Sequence, residues 1–146
     1  MSPRSLSPQV VLQKLTQMAK LLDALDDIGP VDRQRLDADP ILRLALERVV
    51  TQLVDLAIDV NMHVVTSAGH GSVVPADGKE SFAAAARVGL LDEPLASQLS
   101  LSVGLRNVVV HDYLALDEQL FLTGVHLARE QYRDYVRQVS TWIQRA

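Results

Sequence analysis

From Asp39-Pro40 to about Ala68 the chain is apolar around much of a helix's circumference. Leu42, Leu46, Val49, Leu53, Leu56, Val60 and Val64 recur at three- and four-residue steps, with Leu44, Val50, Val54, Ala57, Ile58 and Val65 filling in beside them. That recurrence is the signature of an α-helix, and a helix apolar this far round is buried on more than one face. In a chain of 146 residues, it predicts a central bundle helix that also touches a second subunit. The length fits a single domain, residues 1–146.

The remaining elements read as companions of that helix. Ser7 followed by Pro8 is a cap-then-proline start, opening a helix to about Asp27 with Val11, Leu12, Leu15, Met18, Leu22 and Leu25 on its apolar face. Gly29-Pro30 ends it, and residues 30–39 read as a polar connection. A loop runs from Gly69-His70-Gly71 to Asp77-Gly78, then a short helix covers about Ser81–Val88. After Leu91-Asp92-Glu93-Pro94 a further helix leads into Arg106–His111, with Gly104 in or near it. Glycine in a helix interior costs about 1 kcal/mol against alanine, so a kink or a close backbone approach is expected there. A last helix spans about Asp117–Ile143, with Leu120, Val125, Leu127, Tyr132, Tyr135, Val136, Val139, Trp142 and Ile143 as its buried residues. No strand pattern competes, and the fold class is all-α, a bundle of about four to five helices.

Composition narrows the function. A net charge of −4 argues against a broad, sequence-blind nucleic-acid binder, whose affinity rests on a basic surface. With no cysteine there is neither a disulfide nor a thiolate metal site. The N-terminal Met-Ser-Pro-Arg-Ser-Leu-Ser-Pro has no apolar core of a signal peptide, and no apolar run nears the roughly 20 residues needed to span a bilayer. A cytoplasmic protein is expected.

Chemistry concentrates in Gly-Leu-Arg-Asn-Val-Val-Val-His-Asp-Tyr, residues 104–113. Arginine grips phosphate oxygens in a planar fork, and histidine moves protons near neutral pH. On an ideal helix Arg106 and Tyr113 share a face, as do Asn107 and His111, whereas Arg106 and His111 stand about 140° apart. The last two converge only if the helix bends or ends, if the arginine wraps round, or if two copies meet across a two-fold axis. Solvated charges and a packing tyrosine are the competing reading.

Arg106-Asn107-x-x-x-His111-x-Tyr113 resembles the arginine–x4–histidine–x–tyrosine motif of HEPN-domain proteins of the HepT toxin type. The order of helices resembles that family over nearly the whole chain. The resemblance implies an all-α homodimer joined through the motif-bearing helices. It implies the toxin of a type VII-like toxin–antitoxin pair, a metal-independent endoribonuclease that needs no cofactor. Arg106 and His111 would be the catalytic pair acting on RNA, with Asn107 as polar assistant. Tyr113 would be the residue that a nucleotidyltransferase antitoxin adenylylates. Asp112 stands where glutamate is more usual and keeps the charge. The alternative within the family is a non-catalytic module that binds a nucleotidyltransferase or a nucleotide.

Other polar residues read as structural. His63 and His70 are too far apart on a helix to share a metal, and His126 lacks a partner at ligand spacing. Arg129, Arg133 and Arg137 form a basic stripe at four-residue steps, expected to face acidic residues, with an RNA-guiding patch as the alternative. Asp55 and Asp59, four apart on the apolar helix, need a cationic partner, either from that stripe or Arg106.

Overall fold

A computed structural model describes residues 6–68 and 74–145. Among them are six α-helices: α1 (Pro8–Ile28), α2 (Arg33–Ala38), α3 (Pro40–Ala68), α4 (Gly78–Arg87), α5 (Glu93–His111) and α6 (Glu118–Arg145). A 3-10 turn, Tyr113–Ala115, separates the last two, and the described residues contain no strand.

The starts follow the capping chemistry. The Ser7 side chain accepts from Val10 N and Asp92 from Leu95 N, each ahead of a proline in the first turn. Asp77 accepts from Glu80 N at 2.8 Å, so α4 begins at Gly78, three residues before the periodicity places it. At the end of α1, Gly29 takes φ of +74° and its N–H returns to the Leu25 carbonyl, a conformation that favours glycine.

Residues 30–39 are not all connection. Asp32 caps α2 through Arg35 N, and the short helix buries Leu36. A helix with a single apolar anchor has no period to read. Arg35 also donates to the carbonyls of Ile28 and Pro30, fastening the turn that links α1 to α2.

Helix α3 is the centre of the bundle and packs against each of the other five helices. Its burial on several faces is therefore accounted for within the chain. Leu42, Leu46, Val49, Val50, Leu53, Val54, Ala57, Val60, Val64 and Val65 are buried, but Leu44 is exposed. Leu12 on α1 and Leu120 and Leu127 on α6 are likewise exposed, against the sequence expectation.

Asn61 and Ser81, buried inside the bundle, are paired. Tyr135 Oη donates to Asn61 Oδ1 at 2.7 Å, and Asn61 Nδ2 donates to Ser81 Oγ, tying α6, α3 and α4. Burial pushes the phenols of Tyr132 and Tyr135 up, so both stay neutral donors. Helices α5 and α6 approach closely at Gly124, where a Cβ would stand 2.3 Å from Leu105 Cδ2.

At Gly104 an added Cβ would meet only the end of Lys79, at 3.7 Å, which is ordinary contact. The close approach expected there does not occur within the chain. Gly104 instead lines an open apolar groove between α5 and α6.

Candidate functional site

Helix α5 carries Arg106, Asn107 and His111 on its last turns without interruption. Because the helix runs unbroken from one to the other, Arg106 and His111 stand on different sides of it. Arg106 turns toward α3, where Nε donates to Asp55 Oδ1 at 2.9 Å and Nη2 to Asp55 Oδ2 at 3.4 Å. Its Nη1 donates to Asn107 Oδ1 at 3.4 Å. This bears out Arg106 as a partner for Asp55, while Asp59 pairs with Lys14 instead. His111, the last helical residue, is exposed, as is Asn107. No hydrogen bond joins His111 to Arg106 among the described residues.

A cavity of about 480 Å³ opens beside Arg106, lined by Asp55, Ile58, Asp77, Lys79, Arg106 and Asn107. A guanidinium held by a carboxylate on one edge keeps its other edge for an incoming anion. Among the described residues no three His, Asp or Glu side chains gather as a metal-binding group.

Tyr113 does not share the face of Arg106. The helix stops at His111, Asp112 N closes it on the Val108 carbonyl, and the 3-10 turn carries Tyr113 away from the helical phase. Its hydroxyl accepts from Arg43 Nε of α3 at 3.2 Å. Both terminal nitrogens of Arg43 donate to the two carboxylate oxygens of Glu118, the first residue of α6. These bonds hold Glu118 below the usual carboxylate range and raise Arg43 further above its own. Glu47 lies beneath, 8% exposed, with its Oε2 3.5 Å from Arg43 Nε. That N–H is aimed at Tyr113, so Glu47 Oε2 accepts no hydrogen bond among the described residues. Burial pushes the Glu47 carboxyl up, against the pull of Arg43.

Arg43, Glu47 and Glu118 belong to the surroundings of the motif and were not legible as such. Glu118 lies 75 residues from Arg43 in sequence. The four-residue step from Arg43 to Glu47 was the one local signal.

The other polar residues are structural. His63 Nε2 accepts from Ser7 N at 3.0 Å, and His126 Nε2 lies 3.3 Å from the Val31 carbonyl. His70 lies outside the described residues. The basic stripe meets acidic partners: Arg129 and Arg133 both bind Asp26, whose carboxyl they hold below its usual range, and Arg137 pairs with Asp134.

The chain resembles known proteins along most of its length. It is 26% identical over 139 residues to the tRNA nuclease HepT of Aphanizomenon flos-aquae, covering 95% of this chain and 93% of that one. To the mRNA nuclease HepT of Shewanella oneidensis it is 23% identical over 129 residues, covering 86% and 90%. Its fold is similar to that of a tri-AMPylated Shewanella oneidensis HEPN toxin solved with an MNT antitoxin. The TM-score there is 0.80 at 21% identity, over 90% of this chain and 97% of that one. The family model described as "Ribonuclease HepT-like" matches residues 15–139. With the arginine, histidine and tyrosine of the motif standing inside that span, the chain belongs to the HepT-like ribonuclease family.

Proposed function

We propose that this protein is the toxin of a toxin–antitoxin pair, a homodimeric endoribonuclease that cleaves RNA through Arg106 and His111. The observation that carries the reading is the anchored Arg106 beside an open polar cavity, with an exposed His111 five residues on along the same helix. The named relatives, a tRNA nuclease and an mRNA nuclease, support RNA as the substrate. The cytoplasm, where such RNA is found, is the place of action.

RNA carries its own nucleophile. One neutral His111 takes the 2′-OH proton, and the 2′-oxygen attacks the adjacent phosphorus. The bond to the 5′-oxygen breaks as a protonated imidazole returns a proton to that leaving group. Arg106 binds the non-bridging oxygens, where charge grows in the transition state. The products are a 2′,3′-cyclic phosphate and a 5′-hydroxyl. No metal enters this scheme, since the 2′-OH and two imidazoles supply nucleophile, base and acid.

Divergence of Arg106 and His111 on one helix favours a site completed by a second copy. The apolar groove between α5 and α6, about 570 Å³, exposes Leu101, Leu120 and Leu127 and contains Gly104. An apolar strip of this kind beside a catalytic motif suits self-association, and Gly104 leaves room for a partner backbone. Two histidines then divide the acid and base roles.

Tyr113 is the acceptor of an adenylyl group delivered by a nucleotidyltransferase antitoxin. It is the exposed tyrosine of the three, since Tyr132 and Tyr135 are fully buried. A bulky anion there repels RNA from the neighbouring site. The AMPylated HEPN toxin solved with its MNT antitoxin supports this arrangement. No described helix is long and apolar enough to cross a membrane.

The test is cleavage of total RNA by purified protein in EDTA, with His111→Ala alongside. Wild-type cleavage leaving cyclic-phosphate ends, lost in the variant, is the expected result. A folded wild-type dimer that cuts nothing would turn the reading to a non-catalytic module that binds a nucleotidyltransferase.

A further inference from the structure

Tyr113 is 46% exposed, yet its hydroxyl is tethered. Arg43 Nε donates to Oη at 3.2 Å, and the guanidinium carbon lies 5.9 Å from the Tyr113 ring centre and 5.8 Å from that of Phe121. Arg43 has little freedom of its own. Glu118 binds both terminal nitrogens, and the Arg43 side chain is only 19% exposed. A rigid, permanently charged donor is thus fixed against one phenol oxygen.

The direction of that bond matters. Because Oη accepts from Nε, which has no lone pair to accept with, its own proton is not taken up by Arg43. A cation at hydrogen-bond distance favours negative charge on the oxygen it touches. We propose that Arg43 activates Tyr113 as a nucleophile, fixing Oη and stabilising the charge that builds on it during attack.

The inference rests on the reading of Tyr113 as the nucleotidyl acceptor. In that transfer Oη bonds to the α-phosphorus of a nucleoside triphosphate, the bond from that phosphorus to pyrophosphate breaks, and the phenolic proton passes to water. The two acidic neighbours do not cancel the effect. Glu118 occupies the terminal nitrogens and leaves Nε to the phenol, and Glu47 Oε2, 3.5 Å from Nε, takes no hydrogen bond from it.

The test uses a small aryl sulfonyl fluoride, which needs no nucleotidyltransferase. Oη attacks sulfur, the S–O bond forms, and fluoride leaves. Buried Tyr132 and Tyr135 serve as unreactive internal controls, read by peptide mass mapping. Tyr113 labelling is followed at one pH in wild type, Arg43→Gln and Arg43→Lys. The expected result is a rate about tenfold or more lower in Arg43→Gln, matching loss of a charge-assisted hydrogen bond. Arg43→Lys keeps a cation for Glu118 but loses the Nε–H aimed at Oη, and is slowed several-fold. Labelling of the folded variants at the wild-type rate overturns the proposal. If Arg43→Gln does not fold, the lysine variant decides alone. Mapping the antitoxin's adenylate to another residue would instead end the acceptor reading, while the labelling rates separately decide whether Arg43 activates the phenol.

Discussion

Arg106 is clamped to Asp55 across the α5–α3 interface, Nε to Oδ1 at 2.9 Å and Nη2 to Oδ2 at 3.4 Å. The pair fixes the guanidinium plane, so one edge belongs to α3 and the other faces the cavity. A planar donor oriented in advance loses less freedom when it binds a phosphate.

Asp55→Ala is therefore expected to lower kcat for RNA cleavage by about tenfold with a smaller change in KM, because it loosens Arg106 without removing it. Asp55→Asn, which keeps an acceptor, should recover part of the loss. Thermal melting should change little, since the Asp55 side chain is 46% exposed and such pairs contribute about 0–1 kcal/mol. Steady-state kinetics on one RNA substrate check this; unchanged kcat in Asp55→Ala would remove Asp55 from the mechanism.

Leu101 is 74% exposed on the groove face of α5. Leu101→Asp should leave the fold intact, within about 0.5 kcal/mol, as for most surface changes. It should yield a monomer by sedimentation and abolish cleavage. An active monomer would show that a single chain completes the site.

Tyr113→Phe should retain ribonuclease activity and resist the antitoxin. Its hydroxyl contributes one exposed hydrogen bond with Arg43, so the cost to stability is about 1 kcal/mol or less. Intact-mass measurement after incubation with the antitoxin and ATP checks the point. Adenylylation of Tyr113→Phe to the wild-type extent places the acceptor elsewhere.

Glu47 yields a pH dependence. Its folded-state pKa is raised by burial, so the folded chain holds this proton more tightly than the unfolded chain does. Its contribution to stability is then most favourable below the unfolded carboxylate range and declines as pH rises through the raised value. Glu47→Gln removes the buried charge and should stabilise the protein at pH 7 by about 1 kcal/mol, a melting rise of about 3 °C. The gain should vanish well below pH 4, where Glu47 is protonated in both states. Glu118 works oppositely: Arg43 lowers its pKa, and that stabilisation is present above the unfolded value and lost as pH falls through the folded one. Melting curves of Glu47→Gln and wild type at both pH values separate the two carboxylates, and a destabilised variant at pH 7 would contradict the argument.

The bundle was legible because helices announce themselves locally. Ser7-Pro8 and Asp92 with Pro94 cap and start α1 and α5, and the apolar period of α3 marks the centre of the core. The motif was legible too, as residue types. Helix α2 escaped because one buried leucine, Leu36, carries no period. The expected burial of Leu120 and Leu127 missed because periodicity identifies an apolar face without saying whether this chain covers it.

By itself the sequence determined five of the six described helices, their apolar faces and the presence of Arg106, Asn107, His111 and Tyr113, since these depend on neighbours within a few residues. Tertiary structure decided what each side chain meets. Only packing of α3 against α5 and α6 sets Asp55 on Arg106, 51 residues away, and Arg43 between Tyr113 and Glu118. Ending α5 at His111 also decided that Tyr113 leaves the face of Arg106, because helical phase carries no information past the last helical residue.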